Sequence, residues 1–309
     1  MEIDYSVPPG LKSFVASKDY REIIDHAIQY LSRSCTLISL VDGILTVQDA
    51  DELTRLINLT NLVKNILLYE KEDWPNEIAD YLDRFDRDQD LEDYLYMDCD
   101  MAVPYLTIRL QPQEAFQNPD YPTLSIEDYV YKSDLEGIYT VLALDLPSRF
   151  AMILRKNIAD WPLDEHDLFS IAQQNLTGKL ESIDYKWHDV DEALIVTLFD
   201  RDYAACLAAH FSANYEELVG PFGSVVCLPS RGSVFVHPIE TAAAFSTALQ
   251  WLAEQTNKFF AEEPGALTRT IYWYFEGTFV KFDIQWEGNY LTYVIPSALV
   301  AKLMDEASN

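Results

Sequence analysis

Residues 224–236 read SVVCLPSRGSVFV: two apolar runs, Ser224 to Leu228 and Ser233 to Val236, on either side of Pro229-Ser230-Arg231-Gly232. Proline and glycine interrupt the apolar pattern where a chain reverses, so the segment predicts an antiparallel hairpin. The same design recurs on both sides of it. Thr268 to Phe275 and Phe279 to Trp286 flank Glu276-Gly277, while Thr36 to Val41 and Ile44 to Val47 flank Asp42-Gly43, a pair suited to a turn whose two residues need positive φ. Ile138 to Leu146, Phe150 to Leu154, Leu194 to Phe199 and Met101 to Leu110 supply further apolar strands.

Helical spacing fills the intervals. Tyr20, Ile23, Ile24, Ala27 and Leu31 mark a first amphipathic helix, and Ile78, Tyr81, Leu82 and Phe85 mark another. A long helix is predicted over Ala50 to Tyr69, with an apolar stripe wide enough to imply contact on more than one side. Asp164 is placed to cap a helix carrying Leu168, Ile171, Ala172, Leu176 and Leu180. Further helices are predicted over Tyr203 to Val219, ending at Gly220, over Glu240 to Glu262, and from Pro296 onward. Hairpins with intervening helices give an α+β class, not a doubly wound parallel sheet. Pro112, Pro119 and Pro122 divide the chain into an acidic, helix-rich lobe (1–115) and a strand-rich lobe (123–309).

The 309 residues hold 51 Asp plus Glu against 22 Lys plus Arg, a formal net charge of −29. A direct nucleic-acid interface needs clustered Lys and Arg and is not expected, and anionic membrane surfaces are disfavoured for the same reason. No run reaches the length of a spanning helix, and residues 1–20 show no secretory pattern, so a cytoplasmic location is expected. Cys35, Cys99, Cys206 and Cys227 are scattered and read as reduced thiols.

Residues 70–100 carry thirteen acids against Lys71, Arg84 and Arg87, so 3 − 13 = −10 of the net charge lies there. Asp80, Asp83, Asp86, Asp88 and Asp90 are the candidate acidic interaction face. Asp86-Arg87-Asp88-Gln89-Asp90 opens like a calcium loop, but Leu91 stands where the loop needs glycine and Met97 where it needs a bidentate carboxylate. The histidines His26, His166, His188, His210 and His237 lack zinc-ligand spacing, and the nucleophile-elbow, phosphate-loop and dinucleotide signatures are absent. The sequence therefore points to no catalytic residue, metal or cofactor. Against the acidic background, Arg149 and Arg231 at apparent turns and Asn175 on an apolar helix face are the candidate ligand-binding residues. For Asn175 a structural bridge to a neighbouring loop competes with that role.

Several pieces resemble the YtpQ-like family of uncharacterised bacterial cytoplasmic proteins: Leu144-Asp145-Leu146-Pro147-Ser148-Arg149-Phe150, Asn175-Leu176, Val225 to Arg231 and Pro264 to Thr268. Asn58 to Leu62 and Val103 to Arg109 match more loosely, and Gly232 stands where family members carry an acid. The resemblance implies a cytoplasmic α+β protein and lends no activity. The reading that absorbs most of the sequence is a non-enzymatic interaction protein whose acidic face binds a basic partner, with toxin-neutralising immunity proteins and nucleic-acid mimics as extreme forms. The alternatives are a small-ligand-binding module with an Arg-lined cleft and a metal-assisted hydrolase assembled in space.

Overall fold

The computed structural model describes residues 2–8, 11–12, 14–48, 54–86, 97–116, 125–146, 149–180, 183–211, 215–287 and 290–307. They form two units, Met1–Asp93 with Glu262–Pro264, and Tyr94–Ala261 with Gly265–Asn309. The class is α+β with antiparallel sheets, as expected from the hairpin signals.

In the first unit, β1 (Glu2–Ile3), β2 (Thr36–Val41), β3 (Ile44–Gln48) and β4 (Thr54–Asn58) form a sheet in that order. Asp42 (φ 49°) and Gly43 (φ 77°) make the β2–β3 reversal with the two positive φ values their chemistry favours. Helices α1 (Ser17–Leu31), α2 (Thr60–Ile66) and α3 (Trp74–Asp86) share a core with this sheet, built from Ile23, Ile24, Leu40, Leu45, Leu62, Val63, Trp74 and Ile78. The long helix predicted over Ala50 to Tyr69 does not form. Among the described residues of that span, Thr54–Asn58 pairs with β3 and Thr60–Ile66 alone is helical. Leu59, fully buried between them, donates its N–H to Gly43 O, 2.9 Å. The wide apolar stripe was thus the sum of a strand's inner face and a helix's.

The second unit opens with a short α4 (Cys99–Ala102) and a 3-10 turn at Val103–Tyr105, before β5 (Leu106–Pro112). The strand predicted from Met101 therefore begins five residues later, after Pro104, which has no N–H for a ladder. Strand β5 pairs along β7 (Ile138–Leu146), whose other edge takes β6 (Tyr131–Leu135) and then β8 (Arg149–Met152). This pairing carries residues 106–112 into the second unit, so the boundary falls at Asp93/Tyr94 and not in the proline-rich stretch 112–122. Helix α5 (Glu165–Leu180) packs on β5, its first turn held by Asp164 Oδ1 accepting from Asp167 N at 2.9 Å.

A six-stranded antiparallel sheet completes the unit, in the order β14 (Thr278–Lys281), β13 (Ile271–Phe275), β11 (Ser224–Ser230), β12 (Ser233–Pro238), β10 (Ala193–Phe199), β9 (Asp184–Val190). The hairpin of residues 224–236 lies at its centre, and both its strands are buried throughout. Helix α6 (Ala242–Glu262) covers one face through Phe245, Leu249 and Leu252, joined by Leu299 of the terminal α7 (Ser297–Ala307). The single strand predicted over Phe279 to Trp286 is split at buried Phe282: β14 stays in this sheet, and β15 (Asp283–Glu287) pairs with β16 (Tyr290–Val294).

The helix predicted over Tyr203 to Val219 is replaced by 3-10 turns at Ala204–His210 and Glu216–Leu218. Tertiary bonds outcompete helix propensity here. Asp200 Oδ1 accepts from the N–H groups of Asp202 and Tyr203, at 2.9 and 2.7 Å, and Ala205 N donates to Arg231 O at the tip of the central hairpin, 3.1 Å. The small side chains of Ala204, Ala205 and Ala208 are all buried and permit this close approach.

Candidate functional site

The described residues of the candidate acidic face lie on α3, and the connection between α2 and α3 adds further acids. Trp74, Ile78 and Leu82 of α3 point into the core, which leaves Asp80 exposed and Glu77 half-buried on the other faces. Asp83 is half-buried and accepts a hydrogen bond from Tyr30 Oη of α1. Asp86 ends α3, and Asp88 and Asp90 lie outside the described residues. The connecting turn adds what the sequence reading missed. Leu68 is 73% exposed and Tyr69 39%, flanked by exposed Glu70, Glu72 and Asp73. Tyr69 O accepts from Trp74 Nε1 at 3.1 Å, so the turn is tied to the core beneath it while its apolar tip faces outward. From Glu70 to Asp83 there are six acids and Lys71 alone among the bases, a net of 1 − 6 = −5. Lys71 is itself held by Asp19 and, at 3.7 Å, by Glu22 of α1, and the bond to Asp19 raises its ammonium pKa. The signal that could have found the turn is Leu67-Leu68-Tyr69 running on past the residues that α2 can bury.

The three predicted ligand-binding residues have different surroundings. Asn175 of α5 donates through Nδ2 to Val103 O (2.8 Å) and Leu106 O (3.0 Å). It therefore bridges the helix to the start of β5, whose outer edge has no partner strand among the described residues. Cys206 Sγ serves the same edge two residues further on, donating to Ile108 O at 3.3 Å. Arg231 donates through Nη2 to Gln111 Oε1, 2.7 Å, near the far end of β5. Five residues separate Leu106 from Gln111, about 17 Å of extended strand, so Asn175 and Arg231 serve opposite ends of β5. Arg149 begins β8, opposite Leu146, and its side chain lies outside the described set.

A polar cluster that the sequence reading did not single out joins α5, β7 and the 200–203 turn. Asp145 Oδ2 accepts from Tyr203 Oη at 2.5 Å and pairs with Lys179 Nζ, which also contacts Tyr203 Oη at 2.8 Å. Arg109 of β5 lies over the Phe150 ring, 3.9 Å from its centroid, and donates to Asp202 O. Phe150 in turn meets the Tyr203 ring edge-on at 5.7 Å. The visible signal was an arginine inside the apolar run Leu106-Thr107-Ile108-Arg109-Leu110, because a buried guanidinium requires partners.

These groups are built for holding, not for proton transfer. Burial pushes Tyr203 up to about 12, with the Asp202 carboxylate adding to it, so its hydroxyl stays protonated and donates to Asp145. Burial lowers the Lys179 ammonium pKa and Asp202 opposes that shift, while direct pairing with Asp145 favours the charged form. Burial likewise raises the Cys206 thiol, against the nearby Arg109 and Arg231 guanidinium groups. His188 of β9 contacts Thr197 Oγ1 at 2.9 Å, and its sequence neighbour Asp189 projects to the opposite face of the strand. Asp164, His166 and Asp167 have ligand atoms within 4.8 Å of one another, but all three are exposed and Asp164 Oδ1 is occupied in accepting from Asp167 N at the start of α5.

No protein-family model, curated protein or solved structure matches the chain.

Proposed function

We propose that this is a non-enzymatic interaction protein that uses the acidic, leucine-tipped face of its first unit to bind a basic partner. The observation that carries the reading is Leu68, 73% exposed and followed in the same turn by exposed Glu70, Glu72 and Asp73, with exposed Asp80 further along α3. An apolar anchor beside a surplus of one charge sign is how protein interfaces combine affinity with orientation: the anchor fills a pocket and the charges steer encounter. The partner that fits carries Lys or Arg around a small apolar recess. With a net charge of −29, a protein partner fits better than nucleic acid. The proposal extends to kinship with the YtpQ-like proteins and to action in the cytoplasm, in keeping with four free cysteines. Capture from the producing cells at about 50 mM and about 300 mM salt, with the full chain and with a Glu70→Gln, Glu72→Gln, Asp73→Asn, Asp80→Asn variant, tests it. A basic protein retained by the unaltered chain at low salt and lost by the variant supports the reading; an identical set retained by both removes its basis.

A further inference from the structure

We propose that a cleft in the second unit is a binding site for a small organic monocarboxylate with an apolar body. The cleft has a volume of about 900 Å³ and lies between α6, the segment leading into β13, and the crossing from β14 to β15. That volume is in the range that encloses a small molecule.

Among the described residues that line it, Arg269 is the cation without a carboxylate partner. The guanidinium is exposed and stacks on Phe260 of α6, 4.5 Å from the ring centroid, and among the described residues no carboxylate is within ion-pair distance of it. Stacking fixes the plane of the guanidinium and leaves its edge donors directed away from the ring, the arrangement that receives a carboxylate through two parallel bonds. Lys281, the other cation of the cleft, is already engaged by Glu136.

The charge of the ligand follows from the rest of the lining. Glu114 and Asp283 stand in the same cleft, and Lys281 is offset by Glu136, so these groups sum to 2 − 3 = −1 with Arg269 as the cation left to receive an anion. One carboxylate matches the single charge of Arg269, whereas a phosphate dianion exceeds it and is repelled more strongly by Glu114 and Asp283. An apolar body has Phe282, in the core, and half-buried Phe260 and Ile284 to lie against. Asn257 and the Thr268 hydroxyl supply polar contacts, the latter fixed by accepting from Thr270 N at 3.0 Å.

The test uses the full chain, with 3-phenylpropionate as probe and 3-phenylpropanol and inorganic phosphate as comparison ligands, read by isothermal titration and by NMR shifts of Ile284 and Leu267. Saturable binding of the carboxylate at the cleft is expected, at least about tenfold tighter than the alcohol or phosphate. Arg269→Gln lowers that affinity about tenfold, Arg269→Lys less, and Lys302→Gln, which removes a cation stacked on Phe275 outside the cleft lining, leaves it unchanged. Because Arg269 is exposed, the variants fold; matching circular dichroism verifies this. No saturable binding to about 10 mM, equal binding of alcohol or phosphate, or undiminished binding by Arg269→Gln would each overturn the assignment.

Discussion

Replacing Asn175 separates a structural role from a ligand-binding one. Its amide satisfies Val103 O and Leu106 O, at 2.8 and 3.0 Å, on the side of β5 that no strand of the described residues covers. A typical hydrogen bond contributes about 1 kcal/mol net, and a carbonyl stranded away from water costs about 1–3 kcal/mol. Leu106 is 1% exposed, whereas Val103 is half-buried, so water can replace the bond at Val103 more readily than at Leu106. Asn175→Leu keeps the volume and removes both bonds, and should destabilise the second unit by about 2 kcal/mol. Asn175→Asp places a carboxylate against two carbonyl oxygens and should cost about 3 kcal/mol at neutral pH, recovering as acid protonates it. Urea unfolding followed by tryptophan fluorescence reports on this unit, because five of the six tryptophans (Trp161, Trp187, Trp251, Trp273, Trp286) belong to it. For a unit of this size the Leu variant should melt about 4–8 °C lower. If Asn175→Leu unfolds at the same urea concentration as the unaltered chain, the edge-bridging account of Asn175 is wrong.

Other outcomes follow from burial. His237 is 1% exposed and its Nδ1 donates to Leu194 O at 2.7 Å; burial lowers its pKa below the ordinary 6.5, so the folded protein keeps it neutral. The unfolded chain takes up that proton first, so stability should fall as pH drops below about 6.5, by at most about 1.4 kcal/mol per pH unit, and His237→Asn should flatten this part of the urea-midpoint profile. Cys99, Cys206 and Cys227 are buried, and burial raises each thiol, Cys227 to about 12; a thiol reagent should titrate Cys35 quickly in the folded protein and all four only after denaturation. At Gly223 (φ 83°) an added Cβ would lie 2.2 Å from Tyr274 O, whereas at Gly137 (φ 89°) it meets nothing within 4 Å. Gly223→Ala should therefore lose about 3 kcal/mol or more of stability and Gly137→Ala about 1 kcal/mol, measured by denaturant midpoint.

What the sequence made legible was local. Asp42-Gly43, Glu276-Gly277 and the 229–232 reversal each carry their own turn chemistry, and each hairpin forms where it was read. The stripes of α1 and α3 likewise declare which face is buried. The errors arise where partners distant in sequence decide. Residues 54–58 become strand because β3 offers an edge, and the alanine-rich segment after Tyr203 is drawn into 3-10 turns by Asp200, by Arg231 O and by the edge of β5. Strand β9, DYKWHDV, is polar because it is the last strand of its sheet, and its residues Tyr185 and Trp187 are about two-fifths exposed; hydrophobic alternation cannot reveal it. At the candidate sites, the acidity around α3 and the hydrogen-bonding need of Asn175 were readable, but the outward Leu68 and the open Arg269 required the surrounding packing.

The most direct test of the acidic face measures the affinity of the unaltered chain for the basic protein it captures, at about 50 mM and about 300 mM salt, beside Leu68→Ser and the four-residue neutralised variant. The account predicts that salt and neutralisation each weaken binding at least about tenfold, mainly by slowing association, while Leu68→Ser accelerates dissociation at both salt concentrations. Equal affinities for all three proteins, unchanged by salt, would contradict it.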